Sequence, residues 1–502
     1  MISKENLRWE LPRYTRGTGI EISTAPTKAY PHFISVSEQD KQIEGHSIPP
    51  DVRVKQIQTL DLFSSLSLDF IVTNRMSEVV DYFITLTDYW AKLKNGGHLV
   101  LLLPEAEDLQ TVVELNLKKL KNSHVVCDKQ FGDEESVIRL LVLKKQKQLT
   151  TKLKNEKPTA FLCRLGAYGD NMQAASVAYG LKQQGYHVTY MGSPPGIDVL
   201  LFDPNIDEFY ITDKDQIPNH NLVEFWNYQK SQHDKFVNLS ESVEGTFLAL
   251  PGRTPHEWSP VIREKFMNYN YLQFAHELAG VPHDPQVHFY PTNEEKQWAY
   301  QQRQKMGKNV IMWSLSGSSV HKTWNGDHAR GFDQTLARIL TYYKDVDVVL
   351  VGGPETIMLT EGWDKEPRVH IHCGDWTIRQ TLTFIDYVEM LVGPETGVLN
   401  AACCSSVDKI VFLSHSTEEN LTRDWKNTQA LSASNVTCPG RGNNEAKACH
   451  QLHYGWKHCK QNTDTGTAEC QSKITVEMVW DAIKNVMDKK AKRAMFDMAV
   501  AK

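Results

Sequence analysis

Residues 159–192 read TAFLCRLGAYGDNMQAASVAYGLKQQGYHVTYMG, and the fold is decided there. An apolar run, Ala160 to Cys163, stops at a turn carrying Gly166 and Gly169. A helical pattern follows through QAASVAYGLKQQG, and a second strand-like run begins at Tyr186. Strand, glycine-bearing turn, helix and strand make a βαβ unit. Two further strand-like runs, DEFYIT and KFVNLS, continue the series.

Working outward, residues 291–307, PTNEEKQWAYQQRQKMG, read as a helix opened by a Thr292–Glu295 capping box and stopped at Gly307. A second series of strands follows: NVIMWSLSG, VDVVLVGG, RVHIHCG, YVEMLVG and KIVFLS. The pattern predicts two facing Rossmann-like lobes, 160–290 and 291–436. A cleft is expected between the carboxyl ends of their sheets. Residues 437–472 form a Cys/His-rich segment and 473–502 a final helix, with Val479, Trp480, Ile483, Val486 and Met487 on one face.

Residues 1–147 alternate apolar runs (HFISVS, LDFIVTN, HLVLLLP, SVIRLLVLKK) with helical stretches, one of them ending at Gly96-Gly97 before the next strand. This predicts one more α/β domain. Residues 148–159 lie in a Lys- and Gln-rich stretch, 144–160, that reads as a solvated linker. The whole chain of 502 residues is 41% hydrophobic with a net charge of -6. It can bury several cores, and its charge argues against a sequence-independent nucleic-acid binder. No run approaches the length of a membrane helix, and without a signal-like start the expected compartment is the cytoplasm.

Three motifs carry chemistry. In Arg164-Leu-Gly-Ala-Tyr-Gly-Asp-Asn171, a carboxylate at Asp170 stands at a strand-to-helix turn. It would act as a general base on an acceptor hydroxyl, with Gly169 and Asn171 beside the acceptor, or it would simply cap the helix. In Trp313-Ser-Leu-Ser-Gly-Ser-Ser-Val-His-Lys-Thr-Trp324, Lys322 with Ser316, Gly317 and Ser318 suits a leaving diphosphate. In Val392-Gly-Pro-Glu-Thr-Gly-Val-Leu-Asn-Ala-Ala402, a strand ends near Glu395, and a helix starting near Thr396 and Gly397 offers free amides. Gly352-Gly353 in VLVGGPE, and the GDWTIRQTL segment, lie between the last two.

In this order the motifs resemble those of glycosyltransferase family 9, the ADP-heptose:lipopolysaccharide heptosyltransferases of GT-B fold. The resemblance covers about two thirds of the chain. It implies an acceptor side in lobe 160–290 and nucleotide-sugar binding in lobe 291–436, a nucleotide-diphosphate sugar as co-substrate, Asp170 as the catalytic base, and nucleotide-sugar contacts at Ser316, Gly317, Ser318, Lys322, Gly352, Gly353, Glu395, Thr396, Gly397 and Asn400. The family has Asp and His where this chain has Glu395 and Asn400, which leaves the donor sugar open. Residues 1–147 resemble a class I S-adenosylmethionine-dependent methyltransferase. Its glycine loop is nevertheless replaced by Ser23-Thr24-Ala25-Pro26 after Glu21-Ile22, and Ser37 stands where an acid should hold the cofactor ribose. A degenerate domain without cofactor is expected, serving partner or oligomer contact.

On the acceptor side, Glu241, Arg253 and His256 lie in loops following strand-like runs. Cys127, Cys163, Cys373, Cys403 and Cys404 read as core residues, whereas Cys438, Cys449, Cys459 and Cys470 would form a structural zinc site, disulfides or free thiols. No catalytic metal or cofactor is required, because no Asp-x-Asp pair occupies a plausible donor loop. The expected activity is inverting transfer of a sugar to a hydroxyl of a surface glycan. Fusions of this kind look like those of phage-encoded relatives, in which case a hydroxymethylated DNA base is the acceptor. An inactive sugar-nucleotide or partner-binding protein and an active methyltransferase are the alternatives.

Overall fold

The computed structural model describes residues 2, 6–23, 25, 27–43, 46–132, 136–146, 157–213, 216–241, 268–317, 322–328, 330–433 and 460–500. The chain divides into two compact units, Met1–Lys157 with Tyr210–Gln232, and Pro158–Phe209 with His233–Lys502. Tyr210–Gln232, expected inside the 160–290 lobe, is therefore grouped with the N-terminal residues.

In the first unit, β1 (Gly19–Ile22), β2 (Ile34–Ser37), β3 (Val52–Arg53), β4 (Leu68–Thr73), β5 (Leu93–Pro104), β6 (Ser123–Gly132) and β7 (Val137–Lys145) form one sheet in the order β3-β2-β1-β4-β5-β7-β6. The first five strands are parallel, and β7 inserts antiparallel between β5 and β6. Both faces are covered, so β1 and β4 bury most of their side chains and β5 buries Leu99, Val100, Leu101 and Leu103. On one face Leu86, Tyr89 and Trp90 of the Tyr82–Lys92 helix join Ile20, Ile71 and Leu99. On the other Tyr14, Tyr30 and Phe33 pack on Phe70, Val100 and Phe131. The Gly96-Gly97 turn lies within β5 as a bulge: pairing with β4 jumps from Leu68↔Leu93 to Phe70↔His98, and Gly96 takes φ +88°.

The segment Tyr210–Gln232 completes this unit through apolar and buried polar contacts. The Trp9 and Phe225 rings meet edge to face at 6.4 Å. Glu10, 4% exposed, accepts from the Tyr228 hydroxyl and pairs with Lys129 at 3.1 Å, and the Gln216 amide donates to the Pro12 carbonyl at 2.9 Å. Burial pushes the Glu10 carboxyl up, but those charges and bonds together outweigh it and hold the group below its usual range.

The second unit holds two sheets. The first has β8 (Thr159–Cys163), β9 (His187–Gly192), β10 (Glu208–Ile211, of which Glu208 and Phe209 fall in this unit) and β11 (Lys235–Asn238) in the order β10-β9-β8-β11, with β8 parallel to β9 and β11. The second has β12 (Asn309–Ser314), β13 (Val346–Gly352), β14 (Val369–Cys373), β15 (Met390–Pro394), β16 (Asp408–Phe412) and β17 (Thr428–Leu431). It is wholly parallel in the order β14-β13-β12-β15-β16-β17. This is the doubly wound order, and the strand order reverses at β8 and at β12. The architecture is a GT-B type pair of Rossmann-like sheets, preceded in the chain by a third Rossmann-like sheet.

Local chemistry fixes the element ends. Thr292 and Glu295 exchange side-chain bonds with each other's backbone N–H, as the capping box predicts. The helix stops at Arg303, however, and Gly307 instead donates its N–H to Asp347 at 3.0 Å. Glu295 also holds Arg379 at 2.6 and 2.8 Å, and this buried guanidinium donates to the Asp198 and Tyr290 carbonyls. One side chain of the GDWTIRQTL segment thus ties the first lobe, the connecting helix and the second lobe together. The final helix, Val476–Val500, lays Val479, Trp480, Ile483 and Met487 onto the second sheet, with Val486 at the margin. Cys127, Cys163, Cys373, Cys403 and Cys404 are buried.

Candidate active site

The turn after β8 begins at Arg164 and leads into the Tyr168–Gln183 helix. Asp170 occupies the third helical position, where its Oδ2 accepts the Ala167 N–H at 3.1 Å. That is the capping role the sequence offered as the alternative to catalysis. It leaves the carboxylate 23% exposed, with Oδ1 facing the Arg164 guanidinium at 3.6 Å. Gly166 is needed beneath it, since a Cβ there would lie 2.9 Å from Asp170 Oδ2.

The neighbours of Asp170 correct two expectations. Asn171 is fully buried: its amide donates to the Gly166 and Ala167 carbonyls and its Oδ1 accepts from Tyr190. It locks the loop and has no surface for an acceptor. Gly169 faces Gly397, and a Cβ on it would stand 2.8 Å from the Gly397 Cα and 2.9 Å from the Asn400 Cβ. A Cβ on Gly397 would in turn run into the Tyr168 ring. Glycines at 169 and 397 are therefore needed for close approach of the two turns. They set the start of the Asp170 helix directly on the turn after β15.

That turn carries a buried polar cluster. Glu395, 1% exposed, receives on Oε1 the N–H and hydroxyl of Ser414 and the N–H and Nδ1 of His415, the last two at 2.7 Å each. Burial pushes its carboxyl up, but the charges of His415 and Lys322 and the Ser414 bond outweigh it and hold the group ionised well below the usual range. Thr396 is buried against Ser314, their hydroxyls 3.2 Å apart. The Asn400 Oδ1 is buried without a hydrogen-bond partner among the described residues. The helix expected after Thr396 spans only Gly397–Ala401, too short to carry a large macrodipole.

The loop after β12 closes on itself. Ser316 bridges to Thr323, their hydroxyls 2.6 Å apart, and Gly317 donates to the Lys322 carbonyl at 3.0 Å. Gly317 lies against both Lys322 and Thr396: a Cβ there would be 2.9 Å from the Lys322 Cβ and 3.2 Å from the Thr396 methyl. Trp324 anchors the loop by stacking on Trp313 and donating to the Ile474 carbonyl. Gly352 ends β13 and Gly353 caps the Pro354–Thr360 3-10 helix that follows. Gly352 accepts from Gly374, and the Glu355 charge adds to burial in raising the Tyr168 hydroxyl above its ordinary range.

Ser318, Arg253, His256, Cys438, Cys449 and Cys459 lie outside the described residues, and Glu241 is described only by its backbone, at the end of the 239–241 turn. Ser240 in that turn accepts the Leu165 N–H, so the turn borders the Asp170 loop. Cys470 lies in the short Glu469–Ser472 helix. Among the described residues no group of three metal-ligating side chains occurs. Ser414 and His415 were missed in the sequence, although they follow the KIVF strand at its carboxyl end, where ligands gather in such sheets.

No family model and no curated protein matches the chain. Among solved structures, the chain is similar to a glycosyl transferase family 9 protein from Veillonella parvula DSM 2008, at 14% identity over 68% of this chain and 100% of that one, with a TM-score of 0.48. It is also similar to E. coli ADP-heptose lps heptosyltransferase II, at 12% identity over 66% and 99% with a TM-score of 0.46. A third likeness is the iron-containing dodecameric glycosyltransferase TibC from enterotoxigenic E. coli H10407, at 12% identity over 73% and 86% with a TM-score of 0.45.

Proposed function

We propose that the chain is an inverting glycosyltransferase that moves a sugar from a nucleotide-diphosphate donor to an acceptor hydroxyl. The observation that carries this reading is the Gly169–Gly397 contact, which brings a partly exposed carboxylate, Asp170, to the turn of Glu395 and Thr396, on whose carboxylate the charges of Lys322 and His415 act from neighbouring loops. Asp170 takes the proton of the acceptor hydroxyl as its oxygen attacks the anomeric carbon. The bond to the diphosphate breaks on the opposite face, and Lys322 meets the charge that leaves with it. These residues supply a base at one end and a cation at the other, which is what in-line displacement needs.

The acceptor we favour is a glycan. A phosphate backbone would need exposed cations beside Asp170; among the described residues Arg164, which faces it, is only 6% exposed. The first unit serves, in this reading, as a non-catalytic partner or oligomer platform. Ser23 and Ser37 close the ends of β1 and β2, and Arg75 beyond β4 is engaged by Glu38 and Glu78 rather than left for a cofactor. No described helix is long and apolar enough to cross a membrane.

The test is turnover of UDP-, ADP- and GDP-sugars by the full chain and by Asp170→Asn. Loss of roughly 10²–10⁴-fold in rate with nucleotide affinity retained is the expected result. Full turnover by the variant would remove Asp170 from the mechanism.

A further inference from the structure

Glu395 presents an arrangement that the transfer reaction as described does not use. Its Oε1 is bound by four donors from Ser414 and His415, while Oε2 is buried with no hydrogen-bond partner among the described residues. A buried ionised carboxylate contributes little to folding, and an apolar side chain would fill the same space at less cost. Two cation-bearing groups face it from different loops: His415, which follows β16, and Lys322, which follows β12. The His415 ring keeps 12% exposure, so it is not sealed into the core with its partner. Around Gly317 the Lys322 and Thr396 side chains converge on this same corner. With His415 protonated, the trio carries a net positive charge at the carboxyl ends of β12, β15 and β16, where a doubly wound sheet meets an anion.

We propose that His415 is a second cation on the donor's diphosphate, aligned by Glu395, with Lys322 as the first. The inference rests on the sugar-nucleotide reading above. The contact between His415 Nδ1 and Glu395 fixes the ring plane, while Glu395 itself, 1% exposed, stays beneath, shielded from the phosphates.

The experiment is calorimetric titration of the full chain with ADP, UDP and GDP, repeated on His415→Gln and His415→Lys. Binding of the matching nucleoside is followed in parallel by saturation-transfer NMR. His415→Gln should weaken the preferred diphosphate roughly tenfold while leaving the nucleoside signal unchanged, and His415→Lys should recover most of that loss. Unchanged diphosphate affinity in His415→Gln would overturn the proposal, and so would equal weakening of nucleoside and diphosphate, which a merely structural role gives. A wild-type chain that binds none of the three diphosphates would instead bring down the sugar-nucleotide reading itself.

Discussion

His98 on β5 stands opposite Lys144 on β7, which in turn stands opposite His124 on β6, so three groups able to carry positive charge lie in a row across the sheet. Burial first, and then Lys144 and His124, push the His98 pKa down to about 4. The folded protein therefore keeps this imidazole neutral at pH values where the unfolded chain, near 6.5, has already taken a proton. Stability is retained above about 6.5 and falls as pH drops from there towards about 4, by about 3 kcal/mol in all. Urea unfolding at about pH 7 and about pH 4.5 should show this loss, and His98→Gln should remove most of it; parallel slopes in the two proteins would assign the loss to other groups. At this scale the sequence was uneven. Asp170, Lys322 and Glu395 were legible because each lies in a motif with glycine or proline punctuation. Asn171 was misread, because nothing in its neighbours announces that Tyr190 and two carbonyls would consume its polar atoms. His415 was invisible for the opposite reason: its meaning comes from Glu395, at the end of the preceding strand of the sheet rather than beside it in the chain.

The helices that matter most meet where they have least side chain. The Tyr168–Gln183 and Gly397–Ala401 helices touch through Gly169 and Gly397, and the precision of that contact sets where Asp170 points. Gly169→Ala should cost about 1–3 kcal/mol by overpacking. It should also lower the rate out of proportion, because a displacement of about 1 Å at a reacting group costs roughly 100-fold. Thermal melting and initial rates check both, and a variant that melts and turns over like the wild type would mean the contact is slack. Strand runs, the Thr292–Glu295 box and the apolar face of the last helix were all written in local periodicity and cap chemistry, so the elements were readable one by one. The bulge at Gly96 was not, since a glycine pair before a strand reads as a turn and only pairing with β4 shows that the strand had already begun.

For the molecule as a whole, the departure from expectation lies in the order of the chain rather than in its sheets. Tyr210–Gln232 belongs to the first unit, where Phe225, Tyr228 and Gln216 meet Trp9, Glu10 and Pro12. Periodicity carries no sign of this, because a strand followed by a helix reads the same in whichever unit it packs. Removing residues 1–157 should accordingly leave Phe225 and Tyr228 bare and yield an aggregating product, which size-exclusion chromatography would detect. A soluble, monomeric and active truncation would show the grouping to be dispensable. The same interleaving sets a schedule for synthesis on the ribosome. Trp9 and Glu10 emerge early, but their partners at 225 and 228 appear only after the whole of Pro158–Phe209 has been made, a delay of several seconds or more at about 5–20 residues per second. The first unit must hold an incomplete core open through that interval, so its nascent form is the stage at which a chaperone has most to protect.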